Sequence, residues 1–151
     1  MAKYLLWFAV VFAMAGLSSR YMPGTWYAAL RKPPWNPPNW IFGPVWSVLY
    51  IAMASAAGMV HNRPDGPTRN LALGLFVLQL VLNCLWSYLF FGLQRPGAAF
   101  AEVCVMWCAI GACIAVFARV APAAAWIMVP YLCWVSFASV LNGVVWRLNA
   151  V

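Results

Sequence analysis

The sequence predicts an all-α integral membrane protein, a bundle of five transmembrane helices with a long first loop that acts as a lid. Apolar residues make up 66% of the chain and charged residues only 7%, whereas soluble proteins carry roughly 25% charged residues. The apolar residues also fall into five runs, of which the first ends at Ser18, and these runs predict spans at approximately 4–22, 40–60, 70–92, 97–118 and 123–146. Residues 1–151 are expected to form a single membrane domain.

The length of each run predicts whether it crosses the membrane. Roughly 20 apolar residues are needed to span a hydrocarbon core of about 30 Å, and four of the runs reach that length. The first run reaches it only when extended to about Met22, which predicts a tilted first span. Lys3 followed by this apolar run and Ala13 to Ala15 is also typical of a cleavable signal peptide, the alternative for this segment.

Residues 23–39 form the one long connector, and their composition predicts a lid. Four prolines and two tryptophans fall within residues 32–40. Proline removes an N–H donor and restricts the residue before it, so this segment cannot be helical. A stiff extended strap of this kind, rich in aromatic side chains, predicts a binding surface for a flat lipophilic molecule. A belt of tryptophan and tyrosine at the membrane interface is the alternative.

Polar and aromatic residues recur at four-residue spacing inside three of the spans, which places them on single helix faces. The residues with this spacing are Trp46 and Tyr50 in the second span, Gln79, Asn83 and Ser87 in the third, and Trp134, Ala138 and Asn142 in the fifth. Amides in a membrane need hydrogen-bond partners and tend to face the bundle interior. The spacing alone is compatible with a ligand pocket between these faces and with simple helix packing.

Charge and cysteine patterns narrow the possible functions. The net charge is +7, but the basic residues stand singly between apolar runs, which indicates membrane anchors rather than nucleic-acid binding. His61 is the only histidine and the five cysteines lack metal-ligand spacing, so no metal site is predicted. No nucleophile with an adjacent base is recognisable either. Glu102 is the one carboxylate within a span, a functional candidate by its location or a structural residue near its helix start.

Four segments, in order along the chain, resemble the translocator protein family, also called the tryptophan-rich sensory protein or peripheral benzodiazepine receptor family (TspO/MBR). These segments are WNPP at 35–38, WIFGPVWSVLY at 40–50, NCLWS with the following FF at 83–91, and PYLCW through LN at 130–142. The resemblance extends from about residue 16 to residue 147. It implies a five-helix bundle, a homodimer in bacteria, whose pocket below the first loop binds porphyrins such as protoporphyrin IX and haem, and other flat lipophilic ligands.

The expected ligand-binding residues come from the resemblance and from the spacing together. The resemblance implies Tyr27, Trp35, Trp46, Asn83, Phe90, Trp134 and Ala138, and the helix faces add Tyr50, Trp86, Tyr131 and Asn142. Arg31 and Lys32 are placed to attract the carboxylates of a tetrapyrrole, with lipid-headgroup anchoring as the alternative. No obligatory cofactor is expected, because porphyrin or haem enters as a ligand.

The implied function is that of a membrane translocator or sensor in tetrapyrrole regulation or transport. An enzymatic alternative is light- and oxygen-dependent breakdown of bound protoporphyrin IX, for which Trp35, Trp46 and Trp134 are the candidate residues. Sterol binding is not expected, because Gly143 stands where the L/V-x-Y-x-K/R pattern has its tyrosine. A bacterial cell membrane is the expected location, with the outer membrane as the alternative. Basic residues number five on the predicted lid side and four opposite, which leaves the orientation open.

Overall fold

The computed structural model describes residues 1–150, which are helical along most of their length and include no strand. The helices are α1 (Ala2–Ser18), α2 (Thr25–Ala29), α3 (Asn39–His61), α4 (Pro67–Ser87) with a π-helical continuation (Tyr88–Gly92), α5 (Pro96–Val120) and α6 (Pro122–Asn149). The predicted all-α class is confirmed.

Four of these helices are long and apolar enough to cross a membrane: α3, α4 with its π-helical continuation, α5 and α6. This confirms the prediction of an integral, multi-pass membrane protein. The remaining long helix, α1, is apolar but has only 17 residues. It packs against α3 and α4 and buries Trp7 and Val11 in the core.

The predicted end of the first span, near Met22, is wrong, because α1 ends at Ser18. Beyond that point the chain turns, with the N–H groups of Arg20 and Tyr21 bonded to the carbonyls three residues earlier. Pro23 then follows, and it disfavours helical geometry in the residue before it. Residues 19–22, which include Ser19 and Arg20, therefore lie outside both the apolar run and the helix. We call residues 19–38, which include α2, the first loop.

The α5 and α6 helices pack closely because glycines face large aromatic side chains. A Cβ atom added to Gly97 would lie 2.8 Å from the Trp146 ring, and one added to Gly143 would lie 2.9 Å from the Phe100 ring. Farther along the pair, the Trp107 indole N–H donates to the Ser136 hydroxyl at 2.7 Å. These contacts fix the register of α6, the helix that carries Trp134, Ala138 and Asn142.

The end of α4 departs from α-helical geometry. The N–H of Leu93 bonds to the carbonyl oxygen of Tyr88 at 2.8 Å, a five-residue spacing that defines a π-helical turn. Such turns are frequent at functional sites because they reorient the side chains that they carry. This one places Phe90 and Phe91 in the same aromatic cluster, with ring centroids 4.9 Å apart.

Candidate functional site

An apolar cavity of about 240 Å³ lies between α1, α3, α4 and α6, on the side of the first loop. Its walls are formed by Ala15, Ser18, Ser19, Tyr21, Met22, Pro23, Tyr27, Phe42, Gly43, Trp46, Tyr50, Trp86, Ser87, Phe90, Phe91, Trp134, Ala138, Leu141, Asn142 and Val145. The α5 helix supplies none of these residues and supports α4 and α6 from behind.

Eight of the eleven predicted ligand-binding residues line this cavity. They are Tyr27, Trp46, Tyr50, Trp86, Phe90, Trp134, Ala138 and Asn142. The other three, Trp35, Asn83 and Tyr131, do not reach its wall. The structure therefore brings together residues from the first loop and three helices that lie far apart in the sequence.

Nine of the twenty residues that line the cavity are aromatic. On one side, Trp46 and Tyr50 lie 5.3 Å apart between centroids. On another, Trp86 stacks on Phe90 at 5.2 Å with an angle of 21° between the ring planes. Rings in these offset and edge-on arrangements stabilise one another by roughly 1 kcal/mol per pair beyond their buried area. The wall is thus apolar and held in place by its own ring contacts.

Asn83 and Tyr131 lie one layer deeper, where they fix the position of a wall residue. The Tyr50 hydroxyl donates to Asn83 Oδ1 at 3.1 Å, and Asn83 Nδ2 donates to the Tyr131 hydroxyl at 3.3 Å. Asn83 and Tyr131 are both buried. An amide inside a membrane protein needs such partners. The Asn83 amide finds them in two tyrosine hydroxyls, and its own side chain does not reach the cavity. Their effect on a ligand is therefore indirect, through Tyr50.

A second polar contact ties the wall to the helix ends. The Trp86 indole N–H donates to Asn142 Oδ1 at 3.0 Å, and Asn142 Nδ2 donates to the Pro96 carbonyl at 2.8 Å. One amide thus connects α4, α6 and the first residue of α5. Removal of this side chain would leave the Trp86 indole N–H without its partner in an apolar environment, which is costly.

Tyr27 is the residue by which α2 takes part in the cavity. Its side chain is only 4% exposed, and its hydroxyl donates to Asn36 Oδ1 at 3.1 Å. Burial raises the pKa of the Tyr27 phenol above its ordinary value, so the group stays protonated and able to donate. The Tyr27 ring also contacts Phe90 and Phe91 edge-on, which joins the first loop to the end of α4.

The two predicted cations, Arg31 and Lys32, do not line the cavity. Lys32 Nζ bonds to the carbonyl oxygens of Ala28 and Leu30 at 3.2 and 3.0 Å and lies 4.7 Å from the centre of the Tyr27 ring. Lys32 therefore stabilises the end of α2. The Arg31 side chain is exposed, and its backbone is held by Asn149, at the end of α6.

Trp35 lies outside the cavity, although it is close to its wall. The indole is 46% exposed and contacts Phe137 edge-on, with centroids 5.9 Å apart. Phe137 in turn lies 5.5 Å from the ring of Trp134, which does line the cavity. Trp35 is thus one aromatic ring removed from the cavity.

The model of the TspO/MBR family matches residues 4–147. This chain belongs to the TspO/MBR family. It is 43% identical to the tryptophan-rich protein TspO of Chlorobaculum tepidum, over 89% of this chain and 87% of that one. It is 39% identical to the human translocator protein (88% and 82% covered) and 38% identical to the tryptophan-rich sensory protein of Cereibacter sphaeroides (98% and 92% covered).

The family name covers translocator and sensory proteins, and the names of these relatives denote no enzyme. These findings support a membrane role of the TspO/MBR family for this chain. The same resemblance, found in four sequence segments, covers nearly the whole chain in the comparison.

One part of the TspO/MBR cavity, formed by the end of α1 and the start of the first loop, was not predicted from the sequence. These residues are Ala15, Ser18, Ser19, Tyr21, Met22 and Pro23. The sequence signal that could have indicated this part of the wall is Ser18, a polar residue at the end of an apolar run. In the structure Ser18 is buried, and its hydroxyl donates to Cys84 Sγ at 3.0 Å. The wall also continues along α6 to Leu141 and Val145, which extend the face already marked by Trp134 and Ala138.

Proposed function

We propose that this protein is a translocator or sensor that binds porphyrins and other flat lipophilic molecules in the cavity below the first loop. The observation that carries the proposal is the cavity itself, which is apolar, walled by aromatic rings and lined by loop and helix residues together. Sites of this composition suit small apolar ligands that stack on rings. Trp46 and Trp134 are proposed as the main stacking surfaces, with Tyr50 held in place by Asn83 and Tyr131.

The first loop is proposed to act as the lid, and the size of the cavity supports this. A volume of about 240 Å³ lies below the range of roughly 300–1,000 Å³ usual for pockets that hold drug-sized ligands. A porphyrin therefore requires the wall to move outward. Tyr21, Met22, Pro23 and Tyr27 belong to that wall, and a loop is easier to displace than a packed helix.

A five-span bundle is proposed as the membrane arrangement. The α1 helix, with 17 residues, is about 26 Å long at 1.5 Å per residue. This length is a few Å below the thickness of a typical hydrocarbon core, a mismatch that bilayers accommodate by thinning at modest cost. The close packing of α1 on α3 and α4 supports a crossing beside them.

Binding can be tested with purified protein in lipid nanodiscs, by titration with protoporphyrin IX and detection of the pigment's own absorbance and emission. Trp134→Phe and Asn83→Ala are expected to weaken binding, the first by direct loss of stacking area and the second by release of Tyr50. Trp126→Phe is the matched control, because Trp126 is 75% exposed and remote from the cavity on the same helix. Unchanged affinity in both cavity variants would remove the cavity from the proposal.

The enzymatic alternative, photo-oxidative breakdown of bound protoporphyrin IX, has one observation in its favour. Trp46 and Trp134, two of its three candidate residues, line the same cavity, where a bound pigment would lie against both rings. Illumination of the pigment–protein complex in the presence and absence of oxygen separates the functions. A new absorbing product that Trp46→Phe and Trp134→Phe abolish favours the enzyme, and an unchanged pigment favours the binder.

The homodimer implied by the family also stays a proposal for this chain. The mass of the protein, measured in nanodiscs or by native mass spectrometry, distinguishes a monomer from a dimer. A single copy at all accessible concentrations contradicts it.

A further inference from the structure

Glu102 is the one acidic residue within a membrane-spanning helix of this chain, and it does not line the cavity. It lies on α5, six residues after Pro96, where that helix begins. A rise of about 1.5 Å per residue places it about 9 Å along the helix. This is beyond the first turn, in which the helix dipole stabilises a negative charge. A structural role at the helix start therefore does not account for Glu102.

The Glu102 carboxyl group is buried without a partner. Glu102 is only 8% exposed, and within residues 1–150 neither of its carboxyl oxygens has a hydrogen-bond partner. The Gln79 amide oxygen shares this property, but an amide is neutral and a carboxylate is not. An ionised carboxylate in an apolar site without a partner is so costly that the group becomes neutral instead. For a carboxylate, neutrality means that it holds a proton.

The helices around Glu102 supply no cation that could take the place of this proton. The helices that pack against α5 are α4, with its π-helical continuation, and α6. Their titratable residues are Arg69, Cys84 and Tyr88 on α4 and its continuation, and Tyr131, Cys133 and Arg147 on α6. Arg69 pairs with Asp65, Arg147 is exposed, and of the remaining four only Tyr131 is fully buried.

The α5 helix itself adds no cation beside Glu102 either. Arg95 precedes the helix and Arg119 lies near its far end, and both are exposed. The thiols of α5 are those of Cys104 and Cys108, which are exposed, and of Cys113, which is buried about three turns from Glu102. Glu102 is therefore surrounded by uncharged groups.

Glu102 belongs to the packed layer behind the cavity wall. Met106 is also buried and lies one turn farther along α5 on the same face. The Tyr131 hydroxyl contacts Met106 Sδ at 4.0 Å and accepts from Asn83, the residue that holds Tyr50. A charge at Glu102 would thus arise in the layer that positions this part of the wall.

We propose that Glu102 is a proton-binding site inside the bundle. In the packed state its carboxyl group carries a proton. The proton comes from bulk water and returns to it, leaving a carboxylate, only when the packing of α5 against α4 and α6 opens. Proton release and opening then form one linked equilibrium, the property by which intramembrane carboxyl groups serve in proton relays. The inference does not depend on which ligand occupies the cavity.

Infrared spectroscopy tests for the proton directly, because a protonated carboxyl group has a carbonyl stretching band that a carboxylate lacks. The chain has only two acidic side chains, Glu102 and Asp65, and Asp65 is exposed and paired with Arg69. Asp65→Asn therefore leaves Glu102 as the only acidic side chain. Spectra are recorded in a maltoside detergent, which has no carbonyl group of its own.

The band is expected in the unaltered protein and in Asp65→Asn at about pH 7, where an ordinary glutamate is almost fully ionised. Glu102→Gln, which keeps the shape of the neutral carboxyl group, should lose it. If Asp65→Asn shows no such band, Glu102 is ionised in the folded bundle and the inference is overturned. That outcome is decisive even if Glu102→Gln does not fold.

Unfolding titrations in mixed detergent micelles test the link between proton release and opening. The packed state holds a proton that the opened state loses, so stability should fall as the pH rises. Between about pH 6 and about pH 8, the unfolding constant of the unaltered protein should rise relative to that of Glu102→Gln, by up to about tenfold per pH unit. Asp65→Asn is the control and should follow the unaltered protein.

Parallel pH profiles for the unaltered protein and Glu102→Gln would overturn the proposed link. Neither result bears on the binding of protoporphyrin IX in the cavity, which the titrations of Trp134→Phe and Asn83→Ala measure separately.

Discussion

The two ends of the helix bundle are built differently. At the end that holds the first loop, aromatic rings from four helices meet around a cavity. At the opposite end, α1 is locked onto α3: Lys3 Nζ donates to the His61 carbonyl at 2.8 Å, and the Trp7 indole donates to His61 Nδ1 at 3.0 Å. Gly58 lies directly against the Tyr4 ring.

This difference shows how one bundle can be both stable and open to a ligand. The locked end uses alanine, glycine and specific hydrogen bonds to bring α1 close to α3. The loop end uses large rings, which touch at their edges and leave space between them. We infer that α1 is anchored at its beginning, so that the first loop can move without disruption of the core.

The largest expected effect lies at the locked end, on substitution of Gly58 by alanine. A Cβ atom there would collide with the Tyr4 ring, and overpacking of this kind costs about 1–3 kcal/mol. Gly111→Ala is the matched control, because nothing lies within 4 Å of its added Cβ atom, and alanine favours a helix by up to about 1 kcal/mol. Unfolding in detergent, followed by circular dichroism, should show a loss for Gly58→Ala alone. Equal midpoints would mean that α1 is not locked at Gly58.

Much of the fold could be predicted from the sequence because hydropathy is a local property. The four long apolar helices needed only their length and composition. Helical spacing placed Trp46, Tyr50, Trp134 and Ala138 on single helix faces, but the family resemblance was needed to choose a cavity over helix packing. The apolar run from Tyr4 ends at Ser18, as α1 does, and the extension to Met22 followed from the length that a span needs rather than from residues 19–22, which include Ser19 and Arg20.

The remaining features depend on contacts between distant parts of the chain. The inward direction of Asn83 follows from its bonds to Tyr50 and Tyr131, and no spacing rule selects core over cavity. The position of Lys32 follows from the end of α2. Ligand binding by all these residues stays a prediction, which the titrations above address.

An intermediate effect is expected for the hydrogen bond that holds α1 to α3. Trp7→Phe keeps an aromatic ring beside Phe76, 5.3 Å away, but removes the donor to His61. The lost bond should lower the unfolding free energy by about 1 kcal/mol. Trp35→Phe at the loop end should have almost no effect on stability, because that indole is half exposed and has only an edge contact with Phe137. Equal losses in the two variants would contradict the contrast between the ends.

The smallest expected effect concerns the attachment of the first loop to α6. The Arg31 backbone N–H donates to Asn149 Oδ1 at 3.0 Å, and Asn149 Nδ2 donates to the Arg31 carbonyl at 2.9 Å. These two bonds join residues 118 positions apart and hold the segment between Tyr27 and Trp35. Because they lie at the exposed surface, water can replace both partners, so their loss should lower the free energy of opening the first loop by about 1 kcal/mol and the free energy of global unfolding by much less.

Asn149→Ala should therefore leave thermal stability nearly unchanged and let the first loop open more often. Dissociation of protoporphyrin IX, followed by stopped-flow transfer to excess empty nanodiscs, should become about fivefold faster, the rate change that about 1 kcal/mol produces. Leu148→Ala controls for a truncation at the neighbouring exposed position. If Asn149→Ala and Leu148→Ala release the pigment at the same rate as the unaltered protein, the two hydrogen bonds between Arg31 and Asn149 do not limit opening of the first loop. Release would then be governed by the ring contacts of Tyr27 with Phe90 and Phe91, and the movable part of the loop end would be smaller than residues 19–38.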